Sequence, residues 1–399
     1  MPKRRGVTRK NASVTLLTLI VLFALGIYYS ITGKDSGGVF SGETAIPTVI
    51  VPTESSPVVT APTAANASAD WWEVYFTDPV NVKNPAEWQG SIEGRLIDKI
   101  NAAQTSIHIV SFEFDLTPVA EALIAAKQRG VDVRWVTDDE SGLAADEDPG
   151  RGQFAMLQNA GIEVRADTRS ALMHNKFWIF DSQIAWTGST NITVSGVFQQ
   201  NNNTVVIHSP EVAAIYEREF AEMWDGSFGP KSPSTVDQQS VVVNGTPIQI
   251  YFSPEDHVLD HMIPLVSSAN SSIRFMAFSF TDFPLAKAML DRSSAGVNVA
   301  GIFEKVGSET ESSELRTFFC AKVPARQDGN PKFLHDKVII VDNRFVISGS
   351  FNFSSNATEN NDENVIIIDN PAIANLYAQE FERLWSIATN PDPGKFTCN

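Results

Sequence analysis

One sequence pattern occurs twice in this 399-residue chain, and the duplication limits the fold more than any other feature. The first copy spans residues 174–191, and the second spans residues 335–352, 161 positions later. The paired positions are His174 and His335, Lys176 and Lys337, Asp181 and Asp342, Gly188 and Gly349, Ser189 and Ser350, and Asn191 and Asn352. The match continues without a gap to Trp224 and Trp385. The chain is therefore predicted to contain a duplicated domain, which agrees with a length that exceeds what one core usually supports.

The repeat also extends upstream, where residues 106–114 match residues 272–280 with an offset of 166. The change from 166 to 161 places five extra residues in the first half, between about Thr137 and His174. That stretch is rich in Asp, Gly and Arg, and it is predicted to be a variable loop.

Each half is predicted to contain a helix, a strand, a second helix and a second strand before its motif, and a closing helix after it. In the first half these elements are predicted at 93–103, 107–114, 117–130, 131–137 and 211–224. In the second half they are predicted at 257–268, 273–280, 282–294, 297–303 and 372–385. A strand, a helix and a second strand in this order favour a right-handed crossover between parallel strands, so the fold class is α/β.

The N-terminus carries a membrane signal. Residues 1–10 contain five cations and form a predicted cytoplasmic segment, whereas residues 11–33 contain no charge. The apolar run 12–31 is long enough to cross a hydrocarbon layer of about 30 Å as a helix. We expect a single-pass anchor in the cell membrane with the catalytic domains outside the cytoplasm. The alternative is a cleaved signal peptide, which would make the protein secreted.

The remaining boundaries follow from composition and from the repeat. Residues 34–70 are rich in Ser, Thr and Pro and are predicted to be a disordered stalk. The first domain is predicted at 71–228, a linker at 229–245, the second domain at 246–390 and a tail at 391–399. An oxidising exterior would permit Cys320 and Cys398 to pair, but spacing alone does not decide whether they do.

The charge of the chain bears on its partners. The formal net charge is −17. Residues 11–399 carry 25 basic and 47 acidic residues, which is a net charge of −22. Such a body repels phosphate backbones at long range, which disfavours nucleic acid as the default partner without excluding a local basic cleft.

The spacing inside the motif suits phosphate chemistry. Side chains alternate along a strand, so His174 and Lys176 are predicted to point to one side, as are His335 and Lys337. Glycine at Gly188 and Gly349 is predicted to make room for a ligand, while the Ser and Asn residues that follow supply neutral hydrogen-bond donors. Asp181 and Asp342 have the opposite parity and are expected to brace the turn more than to contact substrate.

The segments HNKFWIFD…GSTN and HDKVIIVD…GSFN resemble the phospholipase D superfamily from about residue 72 to 387. Bacterial nucleases and cardiolipin hydrolases of that superfamily are the most similar in appearance. The resemblance implies two α/β/α lobes, each a mixed sheet flanked by helices, related by a pseudo-twofold axis. It also implies one composite site without metal or other cofactor, in a chain that acts as a monomer.

The resemblance assigns roles to the motif residues. It implies that His174 attacks phosphorus to form a phosphohistidine while His335 protonates the leaving oxygen. Charge on the phosphoryl oxygens would be stabilised by Lys176, Lys337, Asn191 and Asn352, with Ser189 and Ser350 as further substrate donors. The family motif also places Asp181 and Asp342 among the site residues.

The two halves differ where the family often places a carboxylate that orients an imidazole. Glu363 fits that place in the second half, whereas the aligned residue in the first half is Asn202. An amide stabilises an imidazolium less than a carboxylate does, so one histidine is expected to be better tuned than the other. Glu113 is predicted to be among the substrate-binding residues and is a candidate for the missing carboxylate, and the alternative is a solvated glutamate at a strand end.

These patterns predict a membrane-anchored phosphodiesterase that hydrolyses phospholipid head groups. The first alternative is a metal-independent endonuclease with the same site. The second is an inactive envelope protein that binds phosphoesters, and a lost His or Lys would favour it, but both pairs are intact.

Overall fold

A computed structural model describes residues 66–80, 90–234 and 236–398. The predicted segments 1–10 and 11–33, and most of the stalk 34–70, lie outside this range. Within it, no helix has both the length and the apolar character needed to cross a bilayer.

The first lobe contains eight strands and five α-helices within the described range. The strands are β1 (Ala67–Ala69), β2 (Trp72–Phe76), β3 (Ser106–Ser111), β4 (Asp132–Thr137), β5 (Glu163–Ala166), β6 (Lys176–Phe180), β7 (Ile184–Gly188) and β8 (Asn203–His208). The helices are α1 (Ile92–Ala102), α2 (Thr117–Gln128), α3 (Gln153–Asn159), α4 (Val194–Phe198) and α5 (Pro210–Trp224).

The second lobe repeats this inventory in its described residues. The strands are β9 (Ser240–Val243), β10 (Thr246–Ser253), β11 (Ser272–Ala277), β12 (Asn298–Phe303), β13 (Ala325–Gln327), β14 (Lys337–Val341), β15 (Phe345–Gly349) and β16 (Glu363–Asp369). The helices are α6 (Leu259–Ser267), α7 (Phe283–Ser294), α8 (Leu315–Cys320), α9 (Ser355–Glu359) and α10 (Pro371–Ile387).

Both lobes build the same mixed sheet. The strand order is β1-β2-β8-β7-β6-β3-β4-β5 in the first lobe and β9-β10-β16-β15-β14-β11-β12-β13 in the second. The predicted parallel pairs are present as β3 with β4 and β11 with β12, and the other strands of the motif run antiparallel. The α/β fold with two tandem mixed-sheet lobes is therefore confirmed.

Side-chain alternation in the motif strands divides the apolar interior into three cores. In β6, Phe177 and Ile179 enter a core shared by both lobes, whereas Trp178 and Phe180 enter a core of the first lobe alone. In β14, Val338 and Ile340 enter the shared core, and Ile339 and Val341 enter the core of the second lobe. Both faces of each strand are buried, which explains the nearly continuous apolar sequences.

The two lobes meet through reciprocal contacts. Met173 forms a bridge with Asp362, and Leu334 forms the equivalent bridge with Asn201. Each pair is related to the other by the 161-residue offset with the lobes exchanged, which is the pattern of a self-complementary twofold contact. The lobes are thus related by a pseudo-twofold axis, as the resemblance implied.

Two segment predictions need correction, and one open question is decided. Strand β1 shows that the sheet begins inside the predicted stalk, because its residues pair with β2. Strand β9 lies inside the predicted linker and pairs with β10. In the predicted tail, a disulfide joins Cys398 to Cys320 with 5.4 Å between the Cα atoms, which decides the question that spacing left open.

The predicted variable loop in the first half is largely structured. It contains a π-helical turn at Asp139–Leu143, a 3-10 turn at Ala144–Glu147, and helix α3. Asp146 accepts backbone hydrogen bonds from Gly152, Phe154 and Ala155, so the extra residues are tied to the start of α3.

Candidate active site

Each motif histidine is positioned by the opposite lobe. His174 and His335 lie two residues before strands β6 and β14, in extended segments, so the prediction that they are strand residues is wrong by a short margin. The His174 backbone N–H donates to the Asp362 carbonyl at 2.9 Å, and that of His335 donates to the Asn201 carbonyl at 2.8 Å. Because these bonds cross between lobes, the site forms only when both lobes are folded and packed.

The His174 imidazole has a carboxylate partner from the second lobe. Its Nδ1 lies 2.8 Å from Oε2 of Glu363, and both side chains are buried. The Ser350 and Asn361 side chains hydrogen-bond the same carboxylate. Burial raises the pKa of Glu363 to about 8, against the lowering effect of Lys176 and these hydrogen bonds. When Glu363 is ionised, it accepts the Nδ1 proton and leaves the His174 Nε2 lone pair free to attack.

The His335 imidazole has neutral partners from the first lobe. Its Nδ1 lies 2.9 Å from the Asn202 side-chain oxygen and 3.1 Å from the Ser189 carbonyl. The Ser189 hydroxyl donates to the same Asn202 oxygen at 2.8 Å, so the amide is held with its oxygen toward the ring. Both acceptors require a proton on Nδ1, and Nε2 is then the atom that exchanges protons with substrate.

The lysines are fixed beside their own histidines. Lys176 Nζ donates to the His174 carbonyl at 2.8 Å, and Lys337 Nζ donates to the His335 carbonyl at 2.7 Å. Each lysine residue is 2% exposed. Burial lowers the pKa of Lys176 to about 8 and lowers the pKa of Lys337 well below its usual value. Because burial disfavours the charged form of each lysine, a negatively charged ligand would stabilise both ammonium groups.

The electrostatics place the two motifs in one site. Burial lowers the pKa of His335, and Lys337, Lys176 and the His174 ring lower it further. Burial likewise lowers the pKa of His174, followed by Lys176 and Lys337. Each imidazole is therefore within electrostatic interaction range of both ammonium groups, which supports the predicted convergence of the two His-x-Lys pairs.

The comparisons with known proteins agree with this geometry. A family model described as "Cardiolipin synthase, PLD-like domain" matches residues 96–224 and 262–385, which include both motifs. The chain belongs to the phospholipase D-like family.

Two relatives and one solved structure show how far the likeness extends. The mitochondrial cardiolipin hydrolase of Xenopus tropicalis is 34% identical over 130 residues, covering 33% of this chain and 62% of the relative. The phospholipase D of Rickettsia bellii is 32% identical over 130 residues, covering 33% of this chain and 65% of the relative. The crystal structure of phosphatidylserine synthase from Haemophilus influenzae has a TM-score of 0.58 at 14% identity, covering 79% of this chain and 87% of that one, and it supports the fold alone.

Two phenylalanines of this phospholipase D-like site were not predicted from sequence. Phe112 contacts the His174 ring edge-to-face at 4.8 Å, and Lys176 Nζ lies 5.0 Å from the centre of the same ring. Phe278 repeats both contacts with His335 and Lys337, each at 4.8 Å. The only signal in the sequence was their alignment at the ends of matching strands, where an aromatic residue is usually attributed to the core.

A second unpredicted feature is a pair of asparagines that cross the lobe boundary. Asn203 donates to Asp336 at 2.6 Å, and Asn364 donates to Asn175 at 2.8 Å. Asp336 and Asn175 lie between the histidine and the lysine of each motif, so the bonds hold the centre of each motif. Burial raises the pKa of Asp336 to about 7, whereas the Asn203 donor lowers it.

The motif asparagines have buried side-chain oxygens without a partner in the described part of the chain, and Glu113 lies beside one of these asparagines. The Asn191 and Asn352 side-chain oxygens are buried without a hydrogen-bond partner among the described residues, and Asn191 Nδ2 donates to Glu113 at 3.4 Å. Burial raises the pKa of Glu113, and the Arg151 and Lys176 charges lower it. Glu113 contacts the first motif, so the idea that it supplies a carboxylate to His335 is wrong, because Asn202 holds that position.

The two motif aspartates are remote from the reacting groups. Asp181 accepts from the backbone N–H groups of residues 104–106, and Asp342 accepts from those of residues 270–272. Burial opposes their charge, but these bonds outweigh it and hold the pKa of both below the usual value. Each lies past the far end of its strand, about 17 Å along the chain from the motif lysine. The prediction that Asp181 and Asp342 are catalytic residues is therefore wrong, whereas the expectation that they brace the turn agrees with their backbone hydrogen bonds.

The glycines and serines of the second half-motif also have a different role from the one expected. A Cβ on Gly188 would lie 2.2 Å from the Asn203 carbonyl oxygen, and one on Gly349 would lie 2.2 Å from that of Asn364. The glycines thus make room for the neighbouring strand and not for a ligand. The Ser189 hydroxyl hydrogen-bonds Asn202, and the Ser350 hydroxyl hydrogen-bonds Glu363. The two serines therefore position the partners of the histidines, in contrast to the predicted role as donors to substrate.

In the part of the chain that the structure describes, two clusters of three acidic residues have the spacing of a metal site. They are Asp138 with Asp139 and Asp167, and Glu219 with Glu222 and Glu255. Neither contains a motif His or Lys, so metal-independent catalysis remains a prediction for experiment to test.

Proposed function

We propose that this protein is a phospholipase D-type phosphodiesterase that hydrolyses phospholipid head-group phosphodiesters through a phosphohistidine. The observation that carries the proposal is the pairing of His174 Nδ1 with Glu363 at 2.8 Å beside a second histidine and two buried lysines. Family membership supports the reaction class. Because the chain covers only 62% and 65% of the two relatives described above, their activities are a guide to the proposal and do not establish it.

In the first step, His174 Nε2 attacks phosphorus as the bond from phosphorus to the head-group oxygen breaks. His335 gives the proton on its Nε2 to that leaving oxygen, which departs as an alcohol. Burial and the lysines favour neutral imidazoles in the free site, and the negative charge of a bound phosphodiester favours a protonated His335. Glu363 stabilises the positive charge that develops on His174.

In the second step, water replaces the leaving alcohol. His335 takes a proton from the water, the oxygen attacks phosphorus, and the bond from phosphorus to His174 Nε2 breaks. A phosphomonoester, phosphatidic acid for a phospholipid substrate, is released. Both steps place negative charge on the non-bridging oxygens, where Lys176, Lys337 and the amides of Asn191 and Asn352 supply the compensating donors.

Three features support a lipid substrate outside the cytoplasm. The net charge of −22 over residues 11–399 disfavours a polyanion, the predicted anchor at 11–33 would hold the domain beside a bilayer, and the disulfide between Cys320 and Cys398 is typical of an oxidising compartment. We further propose that the chain acts as a monomer, since one chain supplies both halves of the site.

A substrate panel in excess chelator tests the proposal. The fragment from residue 66 onward is incubated with phospholipid vesicles of mixed head groups and, separately, with single-stranded and plasmid DNA. We expect phosphatidic acid from the vesicles and intact DNA. Cleaved DNA with no phosphatidic acid would replace the proposal with the endonuclease alternative, and turnover of neither would favour a phosphoester-binding protein.

Trapping the intermediate tests the roles of the histidines. We expect rapid acid quench and peptide mass spectrometry to find phosphate on His174, and His174→Ala to lose turnover with the phosphate adduct. His335→Ala should still acquire the adduct from a substrate whose leaving group needs no proton. Phosphate on His335 in the wild type would reverse the two roles.

A further inference from the structure

The closing helices α5 and α10 carry equivalent glutamates at the lobe boundary, Glu219 and Glu380. In the second lobe, Glu380 has a cation within its own helix, because the Arg383 guanidinium bonds both of its oxygens at 2.7 and 2.6 Å. Both side chains are buried. A buried carboxylate is normally stabilised by such a partner, since an unpaired buried charge is costly.

In the first lobe the arginine is replaced by an acid. The residue 161 positions before Arg383 is Glu222, so the equivalent pair is two glutamates. A third carboxylate joins them from the second lobe, and oxygens of Glu219, Glu222 and Glu255 all lie within 4.8 Å of one another. Among residues 66–80, 90–234 and 236–398, no Lys, Arg or His forms an ion pair with any of the three.

Glu219 is the most buried of the three glutamates. It is 6% exposed, and no described residue donates a hydrogen bond to its carboxylate or forms an ion pair with it. Its carboxylate lies close to those of Glu222 and Glu255, each of which has one buried oxygen without a hydrogen-bond partner among the described residues. Burial and the neighbouring Glu255, Glu222 and Asp362 charges raise the pKa of Glu219 well above its usual value.

We propose that Glu219, Glu222 and Glu255 bind one hard divalent cation, with Ca²⁺ as the expected ion. Two oxygens that share a Ca²⁺ at about 2.4 Å are at most about 4.8 Å apart, which the three carboxylates satisfy. The ion neutralises Glu219 in the first lobe as the Arg383 guanidinium neutralises Glu380 in the second. It joins α5 of the first lobe to the segment after β10 of the second lobe, and so holds together the two halves of the composite site.

The proposal does not depend on the reaction, because the cation is structural and none of the three glutamates contacts the motif residues. Thermal unfolding of the full chain is measured in chelator and then in saturating Ca²⁺, Mg²⁺ or Mn²⁺, with calorimetric titration for stoichiometry. We expect Ca²⁺ to raise the wild-type Tm by about 2–4 °C and to bind with one ion per chain.

The decisive variant copies the second lobe into the first. Glu222→Arg should raise the Tm in chelator above that of the wild type and abolish the response to Ca²⁺, because the guanidinium then pairs with Glu219 from within the chain. Glu219→Gln is the second variant, and it should weaken Ca²⁺ binding at least tenfold. Glu121→Arg, which makes the same charge change on an exposed position of α2, should keep the wild-type response.

Two results would overturn the proposal. One is a wild-type Tm that does not change with any of the three cations, which would leave the cluster as protonated carboxylates. The other is a Glu222→Arg variant, or a Glu219→Gln variant if the first does not fold, that still responds to Ca²⁺ as the wild type does. Phosphodiesterase activity in chelator is a separate measurement, so its loss or retention bears on the proposed reaction and not on this site.

Discussion

Glu363 and Asn202 are equivalent residues, yet they give the two histidines different chemistry. Glu363 can accept the Nδ1 proton of His174 as a carboxylate and stabilise positive charge on the ring, whereas Asn202 fixes the tautomer of His335 without adding charge. The proposed phosphohistidine step would place positive charge on the attacking ring. The asymmetry therefore supports His174 as nucleophile and His335 as acid.

The residue that sets this difference can be tested by Glu363→Gln. The amide can still accept the Nδ1 proton, but it carries no charge, so we expect kcat to fall about 100-fold. Burial raises the pKa of Glu363 to about 8, and only its ionised form leaves His174 Nε2 free. The wild-type rate should therefore rise with pH as Glu363 ionises, and the variant should lose that rise. Initial rates across a pH series check both effects.

The control for this variant is Glu359→Gln, an exposed glutamate of α9, which should keep the wild-type rate and pH profile. Thermal unfolding of both variants separates a chemical effect from a folding defect. A Glu363→Gln variant with an unchanged pH profile would remove Glu363 from the mechanism.

At the scale of elements, the end of each motif hairpin depends on one backbone conformation. Gly188 has φ of +149° and Gly349 has φ of +138°, and each passes against the carbonyl of the adjacent strand. The close approach lets the segments that carry Asn202 and Glu363 lie directly beside the serines that hold them. The glycines thus act on the site through strand packing.

Gly188→Ala should therefore cost both backbone strain and a steric clash, about 3 kcal/mol or more of unfolding free energy. Gly130→Ala is a matched control, because Gly130 also has positive φ, +93°, but a Cβ there would meet nothing within 4 Å. The control should lose about 1 kcal/mol. Urea unfolding of both variants measures the difference, and equal losses would show that the clash is relieved without cost.

At the scale of the whole molecule, polar contacts hold the two lobes in register across a largely apolar shared core. Asn203 illustrates this, because its oxygen accepts from Ser348 at 2.7 Å and from Tyr377 at 3.0 Å in the second lobe while its amide donates to Asp336. Apolar packing is non-directional, whereas these bonds require one relative position. The His174 and His335 backbone bonds then follow from that position.

Removing this contact with Asn203→Ala should destabilise the protein by about 3 kcal/mol, because three buried polar groups lose their partner. Turnover should fall as well, since Asp336 is part of the second motif. Chemical unfolding and initial rates provide the measurements. Asn270→Ala, at an exposed asparagine whose side chain bonds only within its own turn, is the control and should change stability by less than about 1 kcal/mol. Near-wild-type stability for Asn203→Ala would show that the apolar core alone sets the lobe arrangement.

The sequence alone determined the duplication, the order of the elements and which residues make up each copy of the motif. An internal repeat indicates one fold used twice, and the continuous apolar sequence of a strand indicates that both of its faces are buried. Helix and strand positions such as α2 and β12 were therefore predicted to within a few residues. The pairing of Glu363 and Asn202 with histidines was foreseen only as an asymmetry.

Only the tertiary structure decided which lobe serves which histidine. Glu363 is remote from His174 in sequence, and its contact depends on how the two sheets pack, which no local pattern encodes. The same holds for Asn203 with Asp336, for the ring of Phe112 under Lys176, and for the pairing of Cys320 with Cys398. Local sequence specifies local backbone preference and burial, whereas contacts between distant residues are set by the packing of complete elements.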